Sequence, residues 1–228
     1  MSLADFETIS ELGKGAYGSV YKVRRKQDGE IYALKKVTMN KLSPKEKENS
    51  LNEIRILASI SHPNVVSYID AFYDDSSNSL CIVMEFVDDG DLESKINKHI
   101  KEKKRFPEQE IWHIFKNIVL GLKALHDKKI LHRDLKSANI FMNKKGAVKI
   151  GDMNVSKIIK MGLLYTQTGT PYYASPEVWK DNPYDFKSDI WSLGCLLYEI
   201  TTLKPPFLGK SMEEVYGKVV KGNNFILK

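Results

Sequence analysis

The chain has 228 residues and a mass of 26.1 kDa, enough for one large domain or two small ones. Apolar residues make up 42% and charged residues 28%, a balance that excludes a disordered or fibrous chain. Lysine and arginine number 35 and aspartate and glutamate 29, so the net charge is 35 − 29 = +6. This surplus is compatible with an anionic ligand, but it is too small to indicate a nucleic-acid partner.

The cysteines and the apolar segments bear on the compartment. Two cysteines, Cys81 and Cys195, cannot form a disulfide framework, and both lie in apolar runs, which favours a reducing compartment. The first seven residues lack the apolar core of a secretory signal. The most apolar stretch, Ile190 to Leu203, is too short to cross a bilayer and contains Glu199. We therefore expect a cytoplasmic protein with no membrane partner and no nucleic-acid partner.

The first third of the chain has the pattern of strands with one helix. The predicted strands are Phe6 to Leu12, Ser19 to Arg25, Glu30 to Val37, Val65 to Tyr73 and Ser79 to Phe86. The helix, Pro44 to Ile60, follows the capping-box pattern of Ser43 and Glu46.

After Gly90 the apolar residues recur at helical spacing. One helix is marked by Leu92, Ile96 and Ile100, and a longer one, opened by Pro107 and Glu108, extends to Leu125. Further helices are predicted from Lys187 to Thr202 and from Met212 to Val220, and Trp112, Trp179 and Trp191 are expected in the core. A strand-rich part followed by a helix-rich part predicts two lobes joined near Glu85 to Asp91.

Three glycines form the first motif, Gly13-x-Gly15-x-x-Gly18. The same spacing occurs in dinucleotide-binding folds, where a helix begins at the glycines. Here the following residues, from Ser19 to Val23, alternate and are β-prone, so the glycines are expected in a strand–turn–strand hairpin whose amides can approach phosphates. An ordinary glycine-rich hairpin remains an alternative for this motif alone.

Two charged residues follow the hairpin. Lys35 lies in a strand predicted to pair with it, so its ammonium could reach the same phosphates, and Glu53 on the next helix could hold Lys35 by an ion pair. Each residue alone is equally compatible with a solvated surface charge.

The segment from His132 to Asn139 carries the strongest chemical signal. Phosphoryl transfer needs a carboxylate to orient the attacking hydroxyl, oxygen ligands for Mg²⁺ and a cation for the γ-phosphate. Asp134, then Asn139 with Asp152, and then Lys136 supply these groups. A polar loop between a helix and a strand is the alternative, and it would leave the order of the whole set unexplained.

The chain resembles the eukaryotic protein kinases over nearly its whole length. The motifs that carry the resemblance are GKGAYGSV, YALKKV, HRDLKSANIF, GDMN, GTPYYASPE and DIWSLG. The resemblance implies an α+β bilobal fold, with a small antiparallel β-sheet lobe containing one helix and a larger, mainly α-helical lobe. The lobes would be residues 1–87, including the hinge, and residues 88–228, together one kinase domain from residue 6 to 228.

The resemblance also implies roles for individual residues, with ATP and Mg²⁺ as cofactors and Mn²⁺ as a substitute. Lys35 would hold the α- and β-phosphates, Glu53 would anchor Lys35, Asp134 would be the catalytic base, and Asn139 and Asp152 would bind Mg²⁺. Met84 looks like the gatekeeper, beside backbone groups of Glu85 and Val87 that would meet adenine. The nucleotide would also be bound by Leu12, Gly13, Lys14, Gly15, Ala16, Tyr17, Gly18, Ser19, Val20 and Ala33.

Lys136 and Thr170 are similar to serine/threonine rather than tyrosine kinases, which implies protein substrates with Ser or Thr hydroxyls. The segments NEIRILASISHPNVVSYIDAF, IVMEFVDDGDL and QTGTPYYASPEVW are similar to NIMA-related (Nek) kinases, and imply cell-cycle, centrosomal or ciliary roles. One departure is Met153-Asn154 where the family has Phe-Gly. Met can fill an apolar slot and Asn tolerates positive φ, so we expect the loop to be kept, either with altered switching or without consequence.

Control by phosphorylation is predicted from two residues. Thr166 occupies the place where Nek-like kinases carry an activating phosphate, with Thr168 as its competitor, and Arg133 could pair with that phosphate. The phosphate would come from an upstream kinase or from autophosphorylation. Thr166 as an ordinary polar loop residue is the alternative.

Two rival functions remain. A catalytically impaired or truncated kinase-like scaffold is disfavoured because the five residues of the catalytic set are present, and a dinucleotide enzyme is disfavoured by the strand after Gly18. By resemblance, further helices would follow the one near Met212, and one of them would carry an arginine that pairs with Glu177. We therefore expect the chain to be a fragment with its C-terminal helices missing and Glu177 without that partner.

Overall fold

The computed structural model describes residues 1–15, 18–39, 43–152 and 172–222, and the side chains at positions 44 and 53 lie outside the description. The predicted nucleotide contacts Ala16 and Tyr17, the Met153-Asn154 pair and the regulatory Thr166 lie outside the described residues. The chain divides into two compact units. One contains Met1–Asp88 with Asp152, and the other contains Asp89–Gly151 with the described residues from 172 onward. The lobe boundary expected at residues 87 and 88 stays a prediction.

The first unit is built on a five-stranded antiparallel sheet. Its strands, in chain order, are β1 Phe6–Gly15, β2 Gly18–Arg25, β3 Ile31–Thr38, β4 Tyr68–Asp74 and β5 Ser79–Glu85. Their order in the sheet is β1-β2-β3-β5-β4. The turn between β2 and β3 contains Gly29 at φ 73°, in the left-handed region that glycine enters without steric cost. One face of the sheet carries a small apolar core that includes Val23, Leu34 and Val83.

The helix of the first unit, α1 Pro44–Ala58, begins as its capping box predicts. Ser43 accepts a hydrogen bond from the Glu46 amide, and the Glu46 carboxylate accepts one from the Ser43 amide. The prediction for β4 is wrong at its start, since the strand begins at Tyr68 rather than Val65. Val65 follows a turn, donates to the His62 carbonyl and forms an isolated β-bridge, so this buried apolar residue precedes the regular strand instead of opening it.

The second unit is mainly helical. Its helices are α2 Leu92–Glu102, α3 Glu108–Asp127, α4 Pro176–Trp179, α5 Phe186–Thr202 and α6 Met212–Lys221, with a hairpin of β6 Ile140–Met142 and β7 Val148–Ile150. One apolar core joins α2, α3, α5 and the hairpin. The four long helices and the α+β class are confirmed. The β6–β7 hairpin was not predicted, because strands of three residues carry too short an alternating pattern.

The prediction that Trp112 lies in the core is also wrong, because this residue is 57% exposed. It lies on α3 two positions before Ile114, which is buried, and residues at that spacing face different sides of a helix. Trp179 and Trp191 are partly buried. In the part of the chain that the structure describes, no helix is both long and apolar enough to cross a membrane.

Candidate functional site

The glycine motif lies in a β hairpin, as predicted. Strands β1 and β2 pair in antiparallel register up to Gly15 opposite Gly18. The residues that follow Gly18 form β2 and not a helix, so the arrangement of a dinucleotide-binding fold is absent from this part of the described chain.

The three glycines have different local surroundings. A Cβ on Gly18 would lie 2.0 Å from the carbonyl oxygen of Lys36, so the close approach of β3 requires glycine there. A Cβ on Gly13 would meet nothing within 4 Å, and one on Gly15 would lie 3.8 Å from the Gly18 oxygen. Gly18 is therefore explained by sheet packing. Gly13 and Gly15 leave room for a ligand to approach the backbone.

Leu12 stands at an irregularity in β1. The pairing passes from Glu11–Tyr21 to Gly13–Val20, so Leu12 is the extra residue of a bulge. A bulge redirects a side chain, and Leu12 is 47% exposed. Its exposure beside the glycines is consistent with the predicted contact to a nucleotide.

The sheet register places the other predicted nucleotide contacts on one face. Val20 is opposite Lys35, and Ala33 is opposite Met84 on the neighbouring strand. Directly opposed residues share a face, as do residues two apart on one strand, so these four side chains share a face. Met84 is only 8% exposed. This face is opposite to the one that carries the apolar core with Leu34.

The segment predicted to meet adenine is held by Ser67. The Glu85 amide donates to the Ser67 carbonyl at 2.9 Å, and the Glu85 carboxylate accepts from the Ser67 amide at 2.7 Å. Because the Glu85 amide is engaged in this pair, any backbone contribution of Glu85 to a nucleotide would come from its carbonyl. Val87 follows β5 and is partly buried.

Lys35 forms an ion pair with Asp152. Its Nζ lies 2.5 Å from Asp152 Oδ1, and the two side chains are 18% and 32% exposed. Asp152 has φ 59°, a conformation that Asp and Asn tolerate better than other non-glycine residues. The structure therefore brings two of the predicted site residues together. Glu53 lies on α1, but its side chain is outside the description, and its pairing with Lys35 stays a prediction.

In the second unit, Asp134 lies beside two other residues of the predicted catalytic set, Lys136 and Asn139. Its Oδ2 lies 2.9 Å from Lys136 Nζ and accepts a hydrogen bond of 3.0 Å from Asn139 Nδ2. Asn139 Nδ2 also donates to the Asp134 carbonyl at 2.7 Å, which leaves Oδ1 as the ligand atom of this amide for a cation. A short 3₁₀ turn, Ser137–Asn139, brings Asn139 back to Asp134.

His132 supports this loop from within the core, where it is fully buried. The Asp134 amide donates to Nδ1 at 3.3 Å, so Nε2 carries the proton and donates to the Gly151 carbonyl at 3.0 Å. The Gly151 amide donates in turn to the Asn139 carbonyl. His132 is thus a structural residue of the loop.

Asp189 at the start of α5 is the first residue of the DIWSLG motif, but the sequence assigned no role to its carboxylate. This carboxylate is completely buried. Its Oδ2 accepts from the His132 amide at 2.9 Å and its Oδ1 from the Arg133 amide at 3.0 Å. Both amides immediately precede Asp134 in the chain. The signal was available, since an aspartate in the first turn of an apolar helix is either a cap or a buried acceptor.

A second buried network ends at Glu199, also missed. The hydroxyls of Ser137 and Tyr173 lie 3.0 Å apart, and the Tyr173 hydroxyl donates to Glu199 Oε2 at 2.5 Å. Burial raises the pKa of the Glu199 carboxyl, although its hydrogen bonds oppose the shift. Burial and the charge of Glu199 raise the pKa of the Tyr173 hydroxyl, which remains a neutral donor. The position of Glu199 in the most apolar stretch of the chain was the sequence signal for a buried carboxyl group.

Glu177, expected to lack an arginine partner, accepts a hydrogen bond of 2.5 Å from the Ser188 hydroxyl. Hydrogen bonds from serine lower the pKa of this carboxyl although burial opposes them. Glu177 thus has a neutral donor from α5 within its own unit.

The residues present fit a nucleoside triphosphate with Mg²⁺. The open space at Gly13 and the cation of Lys35 suit phosphates, and Ala33 has a small side chain on the face that carries Lys35. Among the described residues no group of three or more His, Cys, Asp or Glu side chains could hold a metal by itself. Mg²⁺ commonly binds through one or two protein groups together with substrate phosphates, and Asp152 in the first unit and Asn139 in the second each carry an oxygen of the kind that Mg²⁺ accepts.

Comparison with known proteins places these features in a family. Residues 6–228 match the family model of the protein kinase domain. The chain is 40% identical to the serine/threonine-protein kinase Nek2 of Mus musculus over 225 residues, 96% of this chain and 51% of that protein. It is 41% identical to Nek5 of Homo sapiens over 221 residues, 96% of this chain and 31% of that protein.

A third relative is the G2-specific protein kinase fin1 of Schizosaccharomyces pombe, 35% identical over 239 residues, 96% of this chain and 33% of that protein. The chain spans between about a third and about half of the length of these three relatives. The matched segment contains the glycine hairpin, Lys35, the loop of Asp134 and Asp152. The chain therefore belongs to the protein kinase family, and it is similar to the NIMA-related serine/threonine kinases.

Proposed function

We propose that the chain transfers the γ-phosphate of ATP to Ser or Thr hydroxyls of protein substrates. The observation that carries the proposal is the arrangement around Asp134, whose carboxylate lies within hydrogen-bonding distance of both Lys136 and Asn139. A carboxylate beside a cation and an amide supplies groups that phosphoryl transfer needs.

Each residue has a role that its surroundings support. Asp134 orients the attacking hydroxyl and accepts its proton, while Lys136 neutralises charge on the transferred group. Lys35 and the amides near Gly13 bind phosphates, and Asn139 and Asp152 contribute oxygen ligands to Mg²⁺. ATP supplies the phosphoryl group, and Mg²⁺, for which Mn²⁺ can substitute, neutralises its charge. The adenine side is formed by Leu12, Val20, Ala33, Met84, Glu85 and Val87.

A radiolabelled phosphotransfer assay tests the proposal. Wild type with Mg-ATP and a generic protein substrate is expected to incorporate label, and Asp134→Ala is expected to incorporate none above background. Asp127→Ala is the matched control, because Asp127 is an exposed residue of α3 that pairs with Lys123 and lies outside the predicted site. Equal incorporation by wild type and Asp134→Ala would overturn the catalytic role. Nucleotide binding without transfer in wild type would indicate a scaffold.

We propose that phosphorylation of Thr166 activates the chain through Arg133. Arg133 is exposed while its backbone is fixed by Asp189, so its guanidinium is available for a phosphate. Thr166→Ala is expected to abolish the activity gained during preincubation with ATP, whereas Thr168→Ala is expected to keep it. The assignment fails if Thr166→Ala activates normally. Phosphorylation of Thr166 in a separately purified Asp134→Ala chain by wild type would indicate autophosphorylation between chains rather than an upstream kinase.

We further propose a cell-cycle role at the centrosome, cilium or cytoplasm. The similarity to Nek kinases supports it, and the name of the Schizosaccharomyces pombe relative refers to G2. Imaging of a tagged chain through the cell cycle tests it. A uniform distribution with no change in division after depletion would contradict this role.

A further inference from the structure

We infer that Tyr184 is a positioning residue for phosphotransfer, because its hydroxyl fixes the buried carboxylate that holds the loop of Asp134. The inference rests on the proposed function. Tyr184 lies in the segment between α4 and α5, outside every motif that the sequence analysis identified. Its hydroxyl donates to Asp189 Oδ1 at 2.6 Å.

The carboxylate of Asp189 accepts two hydrogen bonds on each oxygen. On Oδ2 the donors are the His132 amide at 2.9 Å and His126 Nε2 at 2.8 Å. On Oδ1 they are the Arg133 amide at 3.0 Å and the Tyr184 hydroxyl. Each oxygen therefore accepts from one loop amide and one side chain, and the two side chains come from different parts of the chain. His126 belongs to α3, and Tyr184 precedes α5.

This symmetry explains what the hydroxyl does. Two adjacent amides can both donate to one carboxylate only if its plane keeps a fixed orientation. His126 fixes the Oδ2 side and Tyr184 fixes the Oδ1 side. Without the Tyr184 hydroxyl, Oδ1 of a completely buried carboxylate loses one of its two donors. The carboxylate can then rotate toward His126, and the hold on the Arg133 amide weakens.

The electrostatic surroundings of Tyr184 support this role. Burial, followed by the negative charge and the hydrogen bond of Asp189, raises the pKa of the Tyr184 hydroxyl, and the charge of Asp134 adds to the effect. The hydroxyl is therefore a permanent neutral donor, and it lies close enough to Asp134 to interact with it electrostatically. The Ser192 hydroxyl on α5 also faces Tyr184. Charge-assisted hydrogen bonds of this kind are stronger than neutral ones.

Tyr184→Phe removes the hydroxyl and keeps the ring. We expect kcat to fall at least about tenfold, the effect of losing one hydrogen bond to a charged group. The KM for ATP is expected to stay within about twofold of wild type, because the hydroxyl acts on the transfer step and not on ground-state binding. Tyr216→Phe is the matched control. Tyr216 is 40% exposed on α6, where its ring packs on Trp179.

Amide hydrogen exchange provides a readout that does not depend on activity. Tyr184→Phe is expected to speed exchange at the His132 and Arg133 amides and to leave exchange at the amides of α3 unchanged. Tyr216→Phe is expected to change exchange at neither the two loop amides nor those of α3. If Tyr184→Phe keeps the kcat and the amide exchange of wild type, as the control does, the inference is wrong. Faster exchange spread over the whole second unit, with kcat per folded molecule unchanged, would equally contradict it. If wild type shows no transfer at all, the proposed function fails, and the exchange result still decides whether Tyr184 orders the loop.

Discussion

The Tyr173 hydroxyl donates a hydrogen bond to Glu199, a buried carboxylate ten positions after Asp189 (199 − 189) on the same helix. Helix α5 therefore buries two acidic side chains, one near each end. Asp189 holds the amides before Asp134, and Glu199 reaches Ser137 through Tyr173. The loop from His132 to Asn139 is attached to α5 at two points, which explains how a segment without regular structure over most of its length keeps a fixed arrangement.

Replacing Glu199 by Gln is expected to change the pH dependence of stability. Burial raises the pKa of Glu199 above its ordinary value of 4.5, so folding favours the neutral form. The free energy of unfolding is therefore highest below that value and falls as the pH rises through the folded pKa. Glu199→Gln keeps an acceptor for Tyr173 and cannot ionise. It should match wild type near pH 4 and be more stable near pH 8, by about 1.4 kcal/mol for each unit of pKa shift.

Urea unfolding over a range of pH measures this difference. Glu48→Gln is the control, because Glu48 is exposed on α1, and its curve should follow that of wild type. Parallel curves for wild type and Glu199→Gln would contradict the prediction.

Alanine substitutions at the glycines should separate packing from ligand binding. Gly18→Ala places a Cβ against the Lys36 carbonyl and is expected to destabilise the fold by at least about 2 kcal/mol. Gly13→Ala meets open space, so its stability should stay close to that of wild type while its KM for ATP rises. Thermal unfolding and ATP kinetics on both variants test this. Equal melting temperatures for the two variants would show that the close approach of β3 does not exclude a side chain at Gly18.

Lys35 and Lys36 form a matched pair on opposite faces of β3. Lys36 pairs with Asp74, whereas Lys35 pairs with Asp152 on the face of the predicted nucleotide contacts. Lys35→Met is expected to lower kcat/KM for ATP about 100-fold, the typical effect of losing one preorganised electrostatic contact, while Lys36→Met keeps most of the activity. Both partly exposed pairs should contribute little to stability. A similar loss of activity in both variants would argue against a specific role for Lys35.

The two thiols are expected to be unreactive in the folded chain. Burial raises the pKa of Cys81 to about 11 and that of Cys195 to about 12, and both residues are buried. Because the thiolate is the nucleophile, Ellman's reagent at pH 8 should titrate neither thiol until the chain is unfolded. Rapid titration of one thiol in the folded state would show that its surroundings open.

The sequence predicted those parts of the site that depend on neighbours in the chain. Alternating residues after Gly18 identified the hairpin, and the spacing of Asp134 and Asn139 identified the loop, because both arrangements form over a few residues. The ends of elements were less predictable. Burial of Val65 without a strand, and exposure of Trp112 on a helix, both depend on tertiary packing that residue type alone does not specify.

The supports of the loop could not be predicted for a different reason. Asp189 is 57 residues from His132, and Tyr173 is 36 residues from Ser137. No local pattern connects such pairs, and an acidic residue in an apolar helix does not indicate which amides it will accept. The Lys35–Asp152 ion pair was unpredictable for the same reason, because its residues are 117 positions apart in the chain. The chemistry-bearing residues were visible in the sequence, whereas the residues that hold them were not.

The double attachment of the loop to α5 has a consequence for protein engineering. A chimera that exchanges only residues 132–139 with those of another kinase would place foreign backbone amides against the Asp189 carboxylate and would replace the Ser137 hydroxyl that meets Tyr173. Such an exchange would be compatible with the fold only if the new segment also presents two amides and a hydroxyl at the same places. An exchange between kinases should therefore include the loop, α5 and Tyr173 together, although they are far apart in the primary structure.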